Sequence, residues 1–182
     1  RSAWGTILHG EALAKLEGGG VGAARICQGL ETYRATGAKQ AQTYYLALLA
    51  DAHGKDGQTE EGLCALTDAL EFVAKTGERV HEAEIYRLKG TLTLEARDWR
   101  LETGPSSPRA SSLKPQVSLA VAQEAEGYFL KAIAQKQQAK SLELRAVMSL
   151  ARLWQQQGKT AEAQQRLAEI YGWFTEGFDT KD

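Results

Sequence analysis

The sequence predicts an all-α fold, an α-solenoid of about four stacked helical hairpins wound as a right-handed superhelix. Three observations carry this expectation. Segments recur at a shift of about 40 residues, with Arg34-Ala35-Thr36-Gly37 returning as Ala74-Lys75-Thr76-Gly77 and Val21-Gly22-Ala23 echoed by Glu61-Gly62-Leu63. A small–large–small triplet marks the second helix of each unit: Gly22, Ile26, Gly29; Gly62, Leu66, Ala69; Ala125, Phe129, Ala132; and Ala163, Leu167, Ile170. Glycines follow the first helices at Gly18-Gly19-Gly20, at Gly54 and Gly57, and at Gly158, where a positive φ ends a helix. One such hairpin cannot bury its own apolar face, so neighbours share a continuous core and leave an inner surface for binding.

The elements follow in order. First helices are expected near 2–17, 40–55, 79–97 and 139–157, and second helices near 21–36, 59–76, 117–138 and 160–172. On the first helices the packing sets read Thr6, His9, Gly10, Leu13; Leu46, Leu49, Ala50, His53; Tyr86, Lys89, Gly90, Thr93; and Val147, Leu150, Ala151, Trp154. Gly10, Ala50, Gly90 and Ala151 keep the small position that lets two helix axes approach, with large residues filling the holes opposite. These sets resemble the tetratricopeptide pattern. Thr59 and Thr160, each followed by acidic residues, read as N-caps. Lys89 takes an aliphatic position, which would twist the third copy. Trp154, Phe129 and Tyr86 are expected in the core.

The whole chain, 1–182, reads as one repeat domain with units at about 2–37, 40–77, 79–138 and 139–172 and a tail at 173–182. The third unit carries an insertion at 98–116 that holds all three prolines and favours a loop. Because the first residue is Arg1 and a helical pattern begins almost at once, the chain reads as a fragment of a longer protein. Asp179-Thr180-Lys181-Asp182 reads as an N-cap whose helix has been cut away, leaving Tyr171, Trp173, Phe174 and Phe178 either folded back or exposed as a self-association patch.

Composition narrows the function classes. With 22 basic and 23 acidic side chains there is no overall field to draw the chain onto nucleic acid or an anionic membrane, and neither partner is expected. No apolar run approaches a bilayer span. Cys27 and Cys64 lack metal-ligand spacing and read as reduced thiols on helices of a cytoplasmic protein. Gly18-Gly19-Gly20 and Gly54-Lys55-Asp56-Gly57 lack the strand before and the Lys-Ser/Thr after that would cradle phosphates. His9, His53 and His81 have no partners at ligand spacing, and His9 and His53 fall at packing positions. Glu78, Glu82 and Glu84, interleaved with Arg79 and Arg87, suit intrahelical ion pairs better than acid–base catalysis. No catalytic residue, metal or cofactor is expected, and the chain is read as a non-enzyme.

These residues, with Ala139-Lys140-Ser141-Leu142-Glu143-Leu144-Arg145-Ala146, Leu150-Ala151-Arg152-Leu153-Trp154 and Gly172-Trp173-Phe174-Thr175-Glu176-Gly177-Phe178-Asp179-Thr180, carry a further resemblance. The chain is similar to the C-terminal tetratricopeptide-like region of bacterial proteins in which an adenylate/guanylate cyclase or other effector domain precedes a signal-transducing ATPase. The resemblance implies a regulatory role: sensing a partner or ligand, or holding the ATPase inactive or assembled. The cyclase carboxylates and phosphate loop of that family have no match here.

In tetratricopeptide arrays the first helices line the groove, which selects Glu11, Lys15, Tyr44, Asp51, Lys55, Glu84, Arg87, Thr91, Arg145, Met148, Arg152 and Gln155 or Gln156. Arg87, Arg145 and Arg152 either clamp a carboxylate or phosphate of a peptide or small anionic effector, or pair with Glu84, Glu143 and Asp51. The expected function is protein–protein interaction or ligand sensing, with a protein or peptide partner that includes domains of the parent chain. The alternative is a homo-oligomerising scaffold with an idle groove, including a weak homodimer through the C-terminal aromatic end.

Overall fold

A computed structural model describes residues 2–102, 118–135 and 139–174, and the side chains of all these except 97–102. The described residues are helical, without a strand. The helices are α1 (Ala3–Leu16), α2 (Gly19–Ala35), α3 (Gln42–Lys55), α4 (Thr59–Thr76), α5 (Glu82–Glu102), α6 (Leu119–Ala134), α7 (Lys140–Gln156) and α8 (Thr160–Tyr171). The all-α expectation is met.

Successive helices pair as hairpins, α1 with α2, α3 with α4, α5 with α6 and α7 with α8. Each second helix also touches the first helix of the next pair, and the first helices touch one another in the row α1, α3, α5, α7. The second helices do not touch one another among the described residues.

Close approach at small residues sets the hairpin geometry. A Cβ added to Gly22 of α2 would lie 2.4 Å from the Cβ and 2.6 Å from the backbone nitrogen of Ala14 in α1. One added to Gly10 would meet the Ile26 nitrogen at 2.8 Å and the Gly22 carbonyl oxygen at 2.9 Å. In the third hairpin Gly90 lies against the ring of Phe129, with 2.6 Å left for a Cβ. All four small positions are buried, and so is every residue of the four second-helix triplets except Leu167, which is half-buried.

The turns divide between glycine and borrowed side chains. Gly18, Gly57 and Gly158 have φ of 106°, 73° and 80° after the first helices, as expected, and Gly37 and Gly77 have 75° and 74° after the second. Gly19 opens α2 and Gly54 lies within α3. The residue that leads directly into α3 is not a glycine: Ala41 takes φ 58°, a left-handed conformation that costs an L-residue free energy. Glu78 holds it, accepting from the Ala41 amide at 3.1 Å and from the buried Thr43 hydroxyl at 3.4 Å.

Several expectations change. Thr59 and Thr160 are the first helical residues rather than N-caps; Gln58 and Lys159 precede them, and neither makes a side-chain capping bond. His9 is exposed, because the seam of α1 runs through Ile7, Gly10 and Ala14. Tyr86 is half-buried, with the Lys131 ammonium 5.8 Å from its ring centre. Lys89, at its aliphatic-type position, is half-buried with its ammonium over Tyr128, 5.3 Å from the ring centre. Phe129 is core, and half-buried Trp154 donates its Nε1 proton to Glu126 Oε1 at 2.9 Å across α6 and α7. Helix α5 continues to Glu102, so 98–102 belong to its end, while 103–116 of the expected insertion lie outside the described residues.

The same substitution should have opposite signs at two glycines. Gly22→Ala forces α1 and α2 apart and should lower stability by about 1–3 kcal/mol. Gly127→Ala on α6 meets nothing within 4 Å and should raise stability by about 0.5–1 kcal/mol through helix propensity. Urea unfolding of both variants checks the pair.

Candidate functional site

The row of first helices encloses a groove of about 710 Å³. Its floor is apolar, from Ala47 and Leu48 of α3, Leu88 of α5 and Leu142 of α7, with Val80 from the segment before α5. The walls carry Glu11 and Lys15 from α1, Tyr44 and Asp51 from α3, Glu84 from α5 and Arg145 from α7. Six of the residues selected from sequence are thus brought together. Their common origin is the repeat, which presents the same side of each first helix to one channel.

Arg79 and His81, in the link before α5, also line the groove and were not selected. The signal for them lay in the link, where the helical register gives no guidance. The His81 ring packs on Tyr44 with centres 5.0 Å apart. Tyr44 in turn contacts Tyr45, which meets Tyr33 edge-on at 5.1 Å. The Tyr33 hydroxyl donates to the Gln40 carbonyl, so the aromatic row is tied to the link between α2 and α3.

The charges of the walls are largely engaged with one another. Lys15 donates to Glu11 Oε1 at 2.8 Å, and Lys55 to Asp51 Oδ2 at 2.6 Å. Arg87 binds both oxygens of Glu84, through Nε at 2.9 Å and a terminal nitrogen at 2.8 Å. Arg145 reaches the same carboxylate at 3.0 Å from α7. Glu143 pairs with Lys140 at 2.7 Å instead. Arg87 is therefore not a ready anion clamp: its side chain is only 13 % exposed and Glu84 occupies its fork. Burial works against the Arg87 charge, but the hydrogen bonds and charge of Glu84 outweigh it and hold the guanidinium above its ordinary range. The hydrogen bond that Lys15 donates to Glu11, with the charge of that carboxylate, likewise raises Lys15. Burial, then the charge of Glu11, raises Tyr44, so its phenol stays protonated at neutral pH.

The other selected residues stand elsewhere. Lys55 and Thr91 do not line the groove; the Thr91 hydroxyl donates back to the Arg87 carbonyl at 3.2 Å. Met148, Arg152 and Gln155 line a separate groove of about 610 Å³ between α7 and α8. Tyr171 also lies there, Trp173 beyond it is 60 % exposed, and Phe178 lies outside the described residues. Arg152 makes no ion pair among the described residues. Cys27 and Cys64 are free thiols on α2 and α4, and no group of three or more His, Cys, Asp and Glu among the described residues is placed to hold a metal ion. No helix among them is long and apolar enough to cross a membrane.

Burial lowers the pKa of His81 below its ordinary 6.5, against the opposing pull of Glu78 and Glu84. The folded chain thus takes up this proton less readily than the unfolded chain. The associated stability is present above the unfolded value and is lost as pH falls through the folded one. Unfolding midpoints in urea should drop between pH 7.5 and 5.5, and the drop should shrink in His81→Gln.

No family model, curated protein or solved structure matches this chain.

Proposed function

We propose that the chain is a non-catalytic binding module, a tetratricopeptide-like α-solenoid of right-handed twist whose inner groove receives a polypeptide segment. The first helices touch along their row while the second helices stay apart, which supports the first-helix side as the concave one. The observation that carries the reading is the groove itself, with an apolar floor between walls bearing both signs of charge and an aromatic step at Tyr44 and His81. A peptide offers the matching chemistry: an aliphatic or aromatic anchor for the floor, and flanking charges that exchange with the Lys15–Glu11, Lys55–Asp51 and Arg145–Glu84 pairs.

A small anion is the weaker ligand. Arg87 and Arg145 share Glu84, so an incoming carboxylate or phosphate must displace a carboxylate already bound. The sequence resemblance to cyclase–ATPase proteins would imply a role in bacterial cytoplasmic signalling, and it makes a segment of the parent's own effector or ATPase domain the first partner to try.

A random-peptide display selection against the chain tests this reading. Enriched peptides should carry an apolar anchor, and Tyr44→Ala or Leu48→Glu should weaken their binding about tenfold or more. Enrichment indifferent to both substitutions would place recognition outside the groove.

A further inference from the structure

The groove between α7 and α8 repeats, at the end of the row, a seat that is filled in each earlier hairpin. Aligning the small positions Gly10, Ala50, Gly90 and Ala151 superposes the four first helices in register. In the second hairpin the seat is covered by α5, whose Leu92 side chain lies 2.5 Å from a Cβ built on Gly54 and 2.7 Å from one on Gly62. In the first it is covered by α3, whose Ala52 carbonyl oxygen and Asp56 close over Gly19. The residues that do the covering form one row at the same register, Tyr45 and Ala52 on α3, then Ile85, Leu88 and Leu92 on α5, and all are buried.

At the α7/α8 end nothing among the described residues covers the seat. Met148, the equivalent of buried Ala47, is 40 % exposed, and Leu167, the equivalent of fully buried Leu66, is only half-buried. Tyr171 at the end of the groove is 54 % exposed. The opposite end of the molecule shows the counterpart. On α1 the equivalents of Ile85, Leu88 and Leu92 are Gly5, Leu8 and Ala12, of which Gly5 and Ala12 are exposed and Leu8 half-buried. Trp4 and Leu16, 58 % and 83 % exposed, extend this face, so α1 is apolar on the side turned away from α2 as well.

We propose that the α7/α8 groove receives α1 of a second copy of this chain, seated as α5 is seated on α3 and α4, so that copies assemble head to tail. The charge pattern fits this register. Adjacent first helices meet at equivalent positions, as Glu84 does with Arg145 at 3.0 Å. The same rule sets Glu11 of the incoming copy against Arg152, which has no ionic partner among the described residues, and its Trp4 against Arg145. Because the contact is heterologous, each added copy presents a new seat and assembly continues beyond a dimer. Glu11 is shared with the inner groove, but Trp4 and Met148 do not line it, so variants at these two positions test this inference without touching the peptide-binding reading.

Sedimentation velocity on the intact chain and two charged variants tests the proposal. The wild type should grow past dimer as concentration rises from micromolar to millimolar. Met148→Lys blocks the seat and Trp4→Lys, which sets a cation against Arg145, blocks the incoming face; both residues are exposed, and circular dichroism checks that each variant stays folded. Each variant alone should lose association about tenfold or more, since a charge would be buried in an apolar contact. Mixed in equal amounts they should form a one-to-one dimer and nothing larger, because only one good face of each kind remains. A strictly monomeric wild type, a mixture that stays monomeric, or a Trp4→Lys chain that still dimerises through its C-terminal end would each overturn the proposal.

Discussion

Everything in this fold depends on how closely two helix backbones approach within a hairpin. At Gly22 the neighbouring helix stands where a methyl group would be, and at Gly90 the space is taken by the Phe129 ring. At Gly10 and Gly90 the small residue is half of a contact whose other half is a large side chain one helix away, Ile26 and Phe129. Because a buried small position recurs in each unit, successive hairpins present similar faces, and the seat for the next first helix is regenerated each time.

The groove follows from that regularity. When first helices stack at equivalent positions, the residues on their open side fall into a line regardless of chemistry, so Glu11, Tyr44, Asp51, Glu84 and Arg145 become neighbours though far apart in sequence. The charges then settle with one another. Glu84 accepts two guanidinium groups from different helices, which fixes α5 against α7 and leaves the apolar floor as the surface still open to a partner. The more exposed pairs, Lys15 with Glu11 and Lys55 with Asp51, contribute little to stability, and so can be exchanged for pairs with a ligand at small cost.

What the sequence made legible was whatever the repeat dictates: the helix order, the buried triplets of the second helices, the four small positions and the glycines that end the first helices. Less legible was anything set by contacts between units. Thr59 and Thr160 carry N-cap chemistry, yet each helix starts one residue earlier in register. Nothing local to Ala41 announces its left-handed backbone, because its support, Glu78, arrives from the end of the following hairpin. Met148, Arg152 and Gln155 share a register with groove and seam residues of earlier units, and their exposure depends on whether a further helix packs over α7 and α8 rather than on their own identity. Of the C-terminal rings, Phe178 lies outside the described residues.

The most direct test of the close-approach account is a double-mutant cycle at Gly90 and Phe129. Gly90→Ala alone should destabilise, since the ring leaves only 2.6 Å for the added methyl. In a Phe129→Leu background the smaller side chain makes room, and the cost should fall or reverse as the helix-propensity gain of alanine emerges. The account predicts a coupling of about 1 kcal/mol or more between the two sites. Additive effects, with Gly90→Ala equally costly in both backgrounds, would contradict it.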